Sequence, residues 1–185
     1  SLCNLENDHQ YGVFEIGMSK PGEIRKLSSL VKPDIGVITN IGEAHIDSFD
    51  NLNGIAKAKS EIIENINNNG FLILNKDDKY FNYFSKIAKI RKIKVLSFGI
   101  IKKSDAYLIK NKTYKNHSLL HLKILNKNIF LKVKNINSLT ILNTLSSLLI
   151  LSILNLDLLK INNLANFLNS VDGRGKAHII KRYKK

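Results

Sequence analysis

The sequence predicts an α/β fold: a parallel doubly wound sheet with flanking helices, plus a small antiparallel β segment. Three observations lead there. Between residues 11 and 98 short apolar runs alternate with longer stretches whose apolar residues recur at helical spacing. Glycine, proline and asparagine punctuate the joints between them. Beyond Gly99 the pattern changes to period-two alternation broken by Asn-Lys pairs, which suits hairpins.

The elements follow in order. YGVFEIG, residues 11–17, reads as the first strand, although Glu15 sits inside it and Gly17 breaks it. A carboxylate in a buried strand is costly unless something compensates it, so Glu15 either faces solvent or has a task. After Pro21, GEIRKLSSLV places Ile24, Leu27, Leu30 and Val31 on one helical face. Pro33 ends that helix, because the residue before a proline is pushed out of the α region. DIGVITNIG is the second strand. NLNGIAKAKSEIIENINNNG reads as a helix with Ile55, Ala58, Ile62 and Ile66 on one face and Gly70 as its C-cap. FLILN, DKYFNYFSKIAKI and IKVLSFG then give a strand, a helix and a strand. Residues 105–133 predict three antiparallel strands, and two helices follow over 139–154 and 158–168. The chain closes on VDGRGKAHIIKRYKK, a glycine-rich joint leading into a new strand-like start.

Composition narrows the function classes. A length of 185 residues suits one domain with a real core. The single cysteine, Cys3, excludes a disulfide framework and a cysteine-based zinc site, and it fits a reducing, cytoplasmic setting. SLTILNTLSSLLILSILNLDLL is apolar, but Asn143, Ser146, Ser147 and Asn155 interrupt it and no basic flank precedes it. It reads as a buried helix, not a membrane span. No signal-peptide pattern opens the chain. The balance of 29 basic against 15 acidic residues, net +14, would by itself suggest nucleic acid or an anionic surface. The lysines, however, are spread along the whole chain together with asparagine and isoleucine, as AT-rich coding produces. Arginine is scarce and no aromatic-basic stacking motif appears, so no specific nucleic-acid binding is expected.

In an open parallel sheet, ligands bind beyond the carboxyl ends of the strands. Glu15 lies near the end of the first expected strand, Asn40 at the end of the second, and His45 in the loop after it. The next helix carries Lys57, Lys59 and Glu61. Carboxylate and imidazole together suit a divalent cation, and magnesium with phosphate is the usual reason for such a site in this architecture. Each residue also has a plainer reading: Glu15 as a solvent-facing carboxylate, His45 as a surface or helix-capping histidine, Lys59 as one solvated lysine among many. Gly173, Arg174, Gly175 and Lys176 invite a phosphate-loop reading, but the spacing G-x-x-x-x-G-K-[ST] is absent there and elsewhere.

The run FEIGMSKPGEIRKLSSLVKPDIGVITNIGEAHIDSFDNLNGIAKAKSEI resembles the central, ATP-binding domain of the Mur ligases. The segment EIGMSKPGEI is the discriminating part and is similar to the branch that adds D-alanyl-D-alanine. AHIDSF, AKAKSEI, LNKDD, LNTLSS and GRG continue the likeness, which weakens across the antiparallel region. The resemblance implies an ATP-dependent amide ligase of peptidoglycan precursor synthesis. ATP phosphorylates the carboxylate of a UDP-N-acetylmuramoyl peptide, and the amino group of D-alanyl-D-alanine attacks the acyl phosphate. It implies Mg2+ ligands at Glu15 and His45, and a lysine that is carbamoylated in several members at Lys59, with Lys57 the competing assignment. Asn143 matches an asparagine that contacts adenine, although Leu139 and Thr140 replace the family's His-Asn pair before it. Arg174 matches an arginine that reaches ATP phosphate, and Asn40 a polar strand end facing the site.

The same resemblance places residues 1–172 in the central domain, lacking its phosphate-loop part, and residues 173–185 at the start of a C-terminal domain. The phosphate loop and a UDP-binding domain are expected upstream of Ser1. The chain by itself is expected to be inactive, and the full-length protein to be a monomer. The alternatives are a related folylpolyglutamate-type amide ligase acting on another acid, and a basic, non-catalytic binding module.

Overall fold

The structure is a computed structural model that describes residues 6, 8–42, 48–101, 103–134 and 136–158. His45, Arg174, the glycine-rich joint and the helix expected over 158–168, apart from Leu158, lie outside the described residues. The chain divides into two compact units, Ser1–Ser97 and Phe98–Lys185.

The first unit contains helix α1 (Glu23–Val31), strand β1 (Ile35–Ile38), helix α2 (Leu52–Ser60), a 3-10 segment (Glu61–Asn65), strand β2 (Phe71–Asn75), helix α3 (Phe81–Ile90) and most of strand β3 (Lys94–Gly99). β1 and β2 run parallel, with Ile35 beside Phe71 and Ile38 beside Leu74. Their shared face buries Ile38, Leu72 and Leu74 against Ala56 of α2, Ile63 and Ile66 beyond it, and Phe84 and Ala88 of α3. The connecting helices thus cover the apolar face that the parallel strands cannot leave in water. A second cluster joins Met18, Ile24, Phe49, Ile55 and Ala58 on the other side of α2, with Ile16 packed against it.

Three expectations change here. Residues 11–17 form no strand. Phe14 and Ile16 are half-buried, but Val13 is 97% exposed and Tyr11 52%. The alternation is that of an extended segment leaning on the core by one side, and no β-ladder among the described residues includes it. The buried positions of α1 are Ile24 and Ser28, whereas Leu30 is 65% exposed. α1 is seated by hydrogen bonds as much as by apolar contact: Asn65 Nδ2 donates to Ser28 Oγ at 2.9 Å and to the Arg25 carbonyl at 3.0 Å. Gly70, finally, does not cap the helix, which gives way at Ser60 to the 3-10 segment ending at Asn65. A Cβ on Gly70 would lie 2.6 Å from the Asp34 carbonyl oxygen, so glycine is there to let two backbones approach as β2 begins.

α2 starts where the sequence supplies an acceptor. Asn51 Oδ1 takes the Asn53 and Gly54 amides at 2.9 and 3.2 Å, the usual N-cap arrangement. Asn51→Ala is expected to cost about 1 kcal/mol in a denaturant titration, with an unchanged slope.

The second unit agrees with the expected antiparallel segment. Phe98 and Gly99 pair in parallel with Ala106 and Tyr107 of β4 (Ala106–Thr113). β4, β5 (Ser118–Ile124) and β6 (Lys127–Val133) then run antiparallel, with a register shift between Leu108 and Lys110. Leu120, Leu122 and Ile124 of β5 and Ile129, Leu131 and Val133 of β6 point to the buried face. Helix α4 (Ser138–Ile153) packs against β4 and β5 and buries Ile141, Leu145, Leu148 and Leu149. The outward face is polar except at points such as Phe130, whose ring stacks on His121 at 4.3 Å. No helix among the described residues is long and apolar enough to cross a membrane.

Candidate functional site

Parallel neighbours deliver their carboxyl ends to the same edge of a sheet. β1 ends at Ile38 and β2 at Asn75, side by side in register, so the segments after them leave from one rim. Three hydrogen bonds join these segments. Lys59 Nζ donates to the Asn40 carbonyl oxygen at 2.8 Å. The Ile41 amide donates to Asp78 Oδ2 at 2.7 Å, and the Tyr80 amide to Asp78 Oδ1 at 2.7 Å. The Asn40 oxygen and the Ile41 nitrogen belong to one peptide group. A lysine amine therefore holds that peptide by its oxygen, and a carboxylate holds it by its nitrogen. Tyr80 also donates its hydroxyl to Asn53 Oδ1 at 2.7 Å, tying the segment after β2 to α2.

The two candidate lysines part company in the helix. Ala56 is buried against the sheet, and Lys59, three residues on, shares its side of α2. Lys59 is half-buried, whereas Lys57 is exposed. Burial lowers the basicity of the Lys59 amine below the ordinary lysine value, and the negative charge of Asp78 partly opposes that shift. The neutral amine consequently appears at lower pH than in a solvated lysine. Between the lowered value and the unfolded value of about 10.4, the unfolded chain binds more protons, so this group makes stability rise with pH across that window. Competitive amine labelling read by mass spectrometry should give Lys59 a reactivity midpoint below that value. A midpoint at or above it would contradict the burial.

The remaining candidates are placed as follows. Glu15 is exposed and lies in the segment that forms no strand, so it does not stand at a strand's carboxyl end. Asn40 is exposed just past β1, and its backbone oxygen, not its amide, receives Lys59. Asn143 is exposed on α4 in the second unit. Thr140 folds its hydroxyl back onto Asn137 Oδ1 at 3.0 Å. Among the described residues no three His, Cys, Asp or Glu side chains gather closely enough to hold a metal ion, and His45 lies outside them.

Glu61 belongs to the fold. Gly22 has φ 89° and no side chain with which to cap α1. Glu61 Oε1 accepts the Gly22 amide at 2.8 Å and Oε2 the Arg25 amide at 3.0 Å, so a carboxylate far along the chain serves as the cap. Arg25 adds a two-pronged pair with Glu64 at 2.7 and 2.9 Å, which raises the basicity of Arg25 and holds the Glu64 carboxyl below its usual range. Asp78 is the residue to which sequence reasoning gave no role. The only signal was its place in LNKDD.

A family model described as "Mur ligase middle domain" matches residues 1–151. Two curated relatives, both named "UDP-N-acetylmuramoyl-tripeptide--D-alanyl-D-alanine ligase", illustrate the likeness. The Rickettsia prowazekii protein is 37% identical over 134 residues, 72% of this chain and 30% of its own length. The Bacillus subtilis protein is 48% identical over 78 residues, 42% of this chain and 17% of its own length. A solved structure of MurF from Acinetobacter baumannii superposes with a TM-score of 0.81 at 25% identity, covering 98% of this chain and 39% of that one. MurF from Thermotoga maritima in complex with ADP gives a TM-score of 0.69 at 25% identity over 77% of this chain and 33% of that one. The chain thus spans well under half the length of the relatives it matches.

Proposed function

The chain belongs to the Mur ligase family as a middle domain, and from that premise we propose that it is part of a D-alanyl-D-alanine-adding ligase acting on UDP-N-acetylmuramoyl-tripeptide. The observation that carries the reading furthest is Lys59: a half-buried amine of lowered basicity at the carboxyl rim of the parallel strands. Relatives that bear this name supply the substrates.

In the proposed reaction the peptide carboxylate takes the γ-phosphoryl group of ATP, giving an acyl phosphate and ADP. The amino nitrogen of D-alanyl-D-alanine attacks the acyl carbon, the carbon–oxygen bond to phosphate breaks, and the new amide sheds a proton. Lys59 supplies an amine that reacts with carbon dioxide only when neutral, and burial favours that form. Glu15 offers a hard carboxylate oxygen of the kind Mg2+ takes, and His45 is the second ligand assigned to it. Bound Mg2+ would offset negative charge on the phosphates. Asn143 is assigned to adenine, Arg174 to ATP phosphate, and Asn40 to the site's polar edge. The domain assignment of residues 1–172 and 173–185, a monomeric full-length protein and a cytoplasmic location belong to the same proposal.

The whole protein, given ATP, Mg2+, UDP-N-acetylmuramoyl-tripeptide and D-alanyl-D-alanine, is expected to release phosphate only when all four are present. Phosphate release that needs a folate or another acid in place of the muramoyl peptide would move the protein to a sister ligase. No turnover with any of these acids would overturn the reading.

A further inference from the structure

We propose that Asp78 is a positioning residue of the rim, holding the Asn40–Ile41 peptide in the orientation that Lys59 requires. The inference rests on the ligase reading above and adds a residue to it.

Asp78 stands beyond β2 and reaches across to the segment beyond β1, and both carboxylate oxygens are committed to backbone amides at 2.7 Å. The Tyr80 bond fixes the carboxylate within its own turn. The Ile41 bond is the one that crosses between segments. A peptide is planar, so fixing its N–H fixes the direction of its carbonyl. That carbonyl, on Asn40, is the acceptor for Lys59 Nζ at 2.8 Å. Without the carboxylate the Ile41 amide loses this anchor, and the peptide, held by its oxygen alone, is freer to turn about its flanking bonds and carry the acceptor away from the amine. Charged hydrogen bonds of this length are stronger than neutral ones, and two on one side chain give a narrow range of orientations.

The test uses Asp78→Asn in the whole protein. An amide can offer Oδ1 to only one of the two N–H donors and turns its own NH2 toward the other. The expected result is a fall in kcat of about 10- to 100-fold, the scale of misplacing a site group by about an ångström. KM for ATP and for the muramoyl peptide should stay within about threefold, and hydrogen exchange at the Ile41 amide should speed up by about tenfold or more. Wild-type kcat or wild-type Ile41 exchange overturns the proposal. So does a parallel loss of kcat, KM and melting temperature, which would mark a general folding defect. Should Asp78→Asn fail to fold, Asp78→Glu keeps both acceptor oxygens on a longer arm. It should show an intermediate kcat with faster Ile41 exchange, and a wild-type value of either sinks the idea. If the wild-type protein ligates nothing, the ligase reading has failed, and Ile41 exchange alone still decides whether Asp78 holds the peptide.

Discussion

Lys59→Ala in the whole protein is expected to lower kcat by about a thousandfold, with partial recovery when a short-chain carboxylic acid is added. The size follows from charge. On the proposed reading a carbamate on Lys59 would face Mg2+, so truncation would remove an attractive unit charge, and each unit pairing at about 4 Å and an effective dielectric of about 20 is worth roughly 4 kcal/mol. Against a barrier, that is about three orders of magnitude in rate. The truncation also removes the donor from the Asn40 carbonyl, leaving that peptide held on its nitrogen side only. The diagnostic part is the added acid, which restores an anion where the side chain ended and does nothing for a misfolded protein. Steady-state phosphate release with and without the acid checks it. Wild-type turnover in Lys59→Ala would remove this lysine from the mechanism.

Glu61→Ala is expected to destabilise the first unit by about 2–4 kcal/mol, read as a fall in melting temperature of roughly 5–15 °C. The Glu61 side chain is 7% exposed and accepts two backbone amides, while its ionic contact with Arg25 is long at 4.0 Å, with Arg25 54% exposed. The amides therefore matter more than the ion pair, since exposed pairs contribute little. Truncation leaves two N–H groups at the start of α1 without acceptors, and α1 has no side-chain cap of its own to replace them. Glu61→Gln, which keeps one acceptor oxygen, should lose less than Glu61→Ala. Equal losses for the two would mean that charge, not hydrogen bonding, holds the helix end.

Elements whose determinants lie within a few residues were legible in the sequence. β2, Phe71–Asn75, coincides with the apolar run FLILN, and α3 lies inside the stretch assigned to it. β5 and β6 alternate as expected because one of their faces is buried and the other is not, whereas β4 is buried only at its start and exposed from Ile109 onward. What could not be read depends on residues distant along the chain. Whether residues 11–17 become a strand turns on a neighbour able to take their backbone groups, which local alternation does not encode. The inner side of α1 was misread because Asn65 and Glu61 hold it through polar contacts that leave no apolar period in the helix. Gly70 looks like a helix cap from the residues before it and becomes a close-approach glycine only once Asp34 is brought alongside.

The site divides along the same line. Lys59 was preferred to Lys57 only through the family likeness, and it is the fold that puts it half-buried on the Ala56 side of α2 while Lys57 is exposed. Asp78 could not be placed, because its partners are backbone amides, which every residue but proline supplies and no pattern of letters marks. Glu61 looked like a member of a charged rim, yet its oxygens are turned to the start of α1.

That carboxylate has a bearing on exchanging parts between relatives. Residues 19–25 and residue 61 form one hydrogen-bonded unit: Glu23 turns back to the Ser19 and Lys20 amides, and Glu61 takes Gly22 and Arg25. Two stretches that look like separate signatures on paper are thus halves of a single joint. A chimera that imports the first half from a homologue with a different residue at the second would inherit an uncapped helix, however well its letters matched.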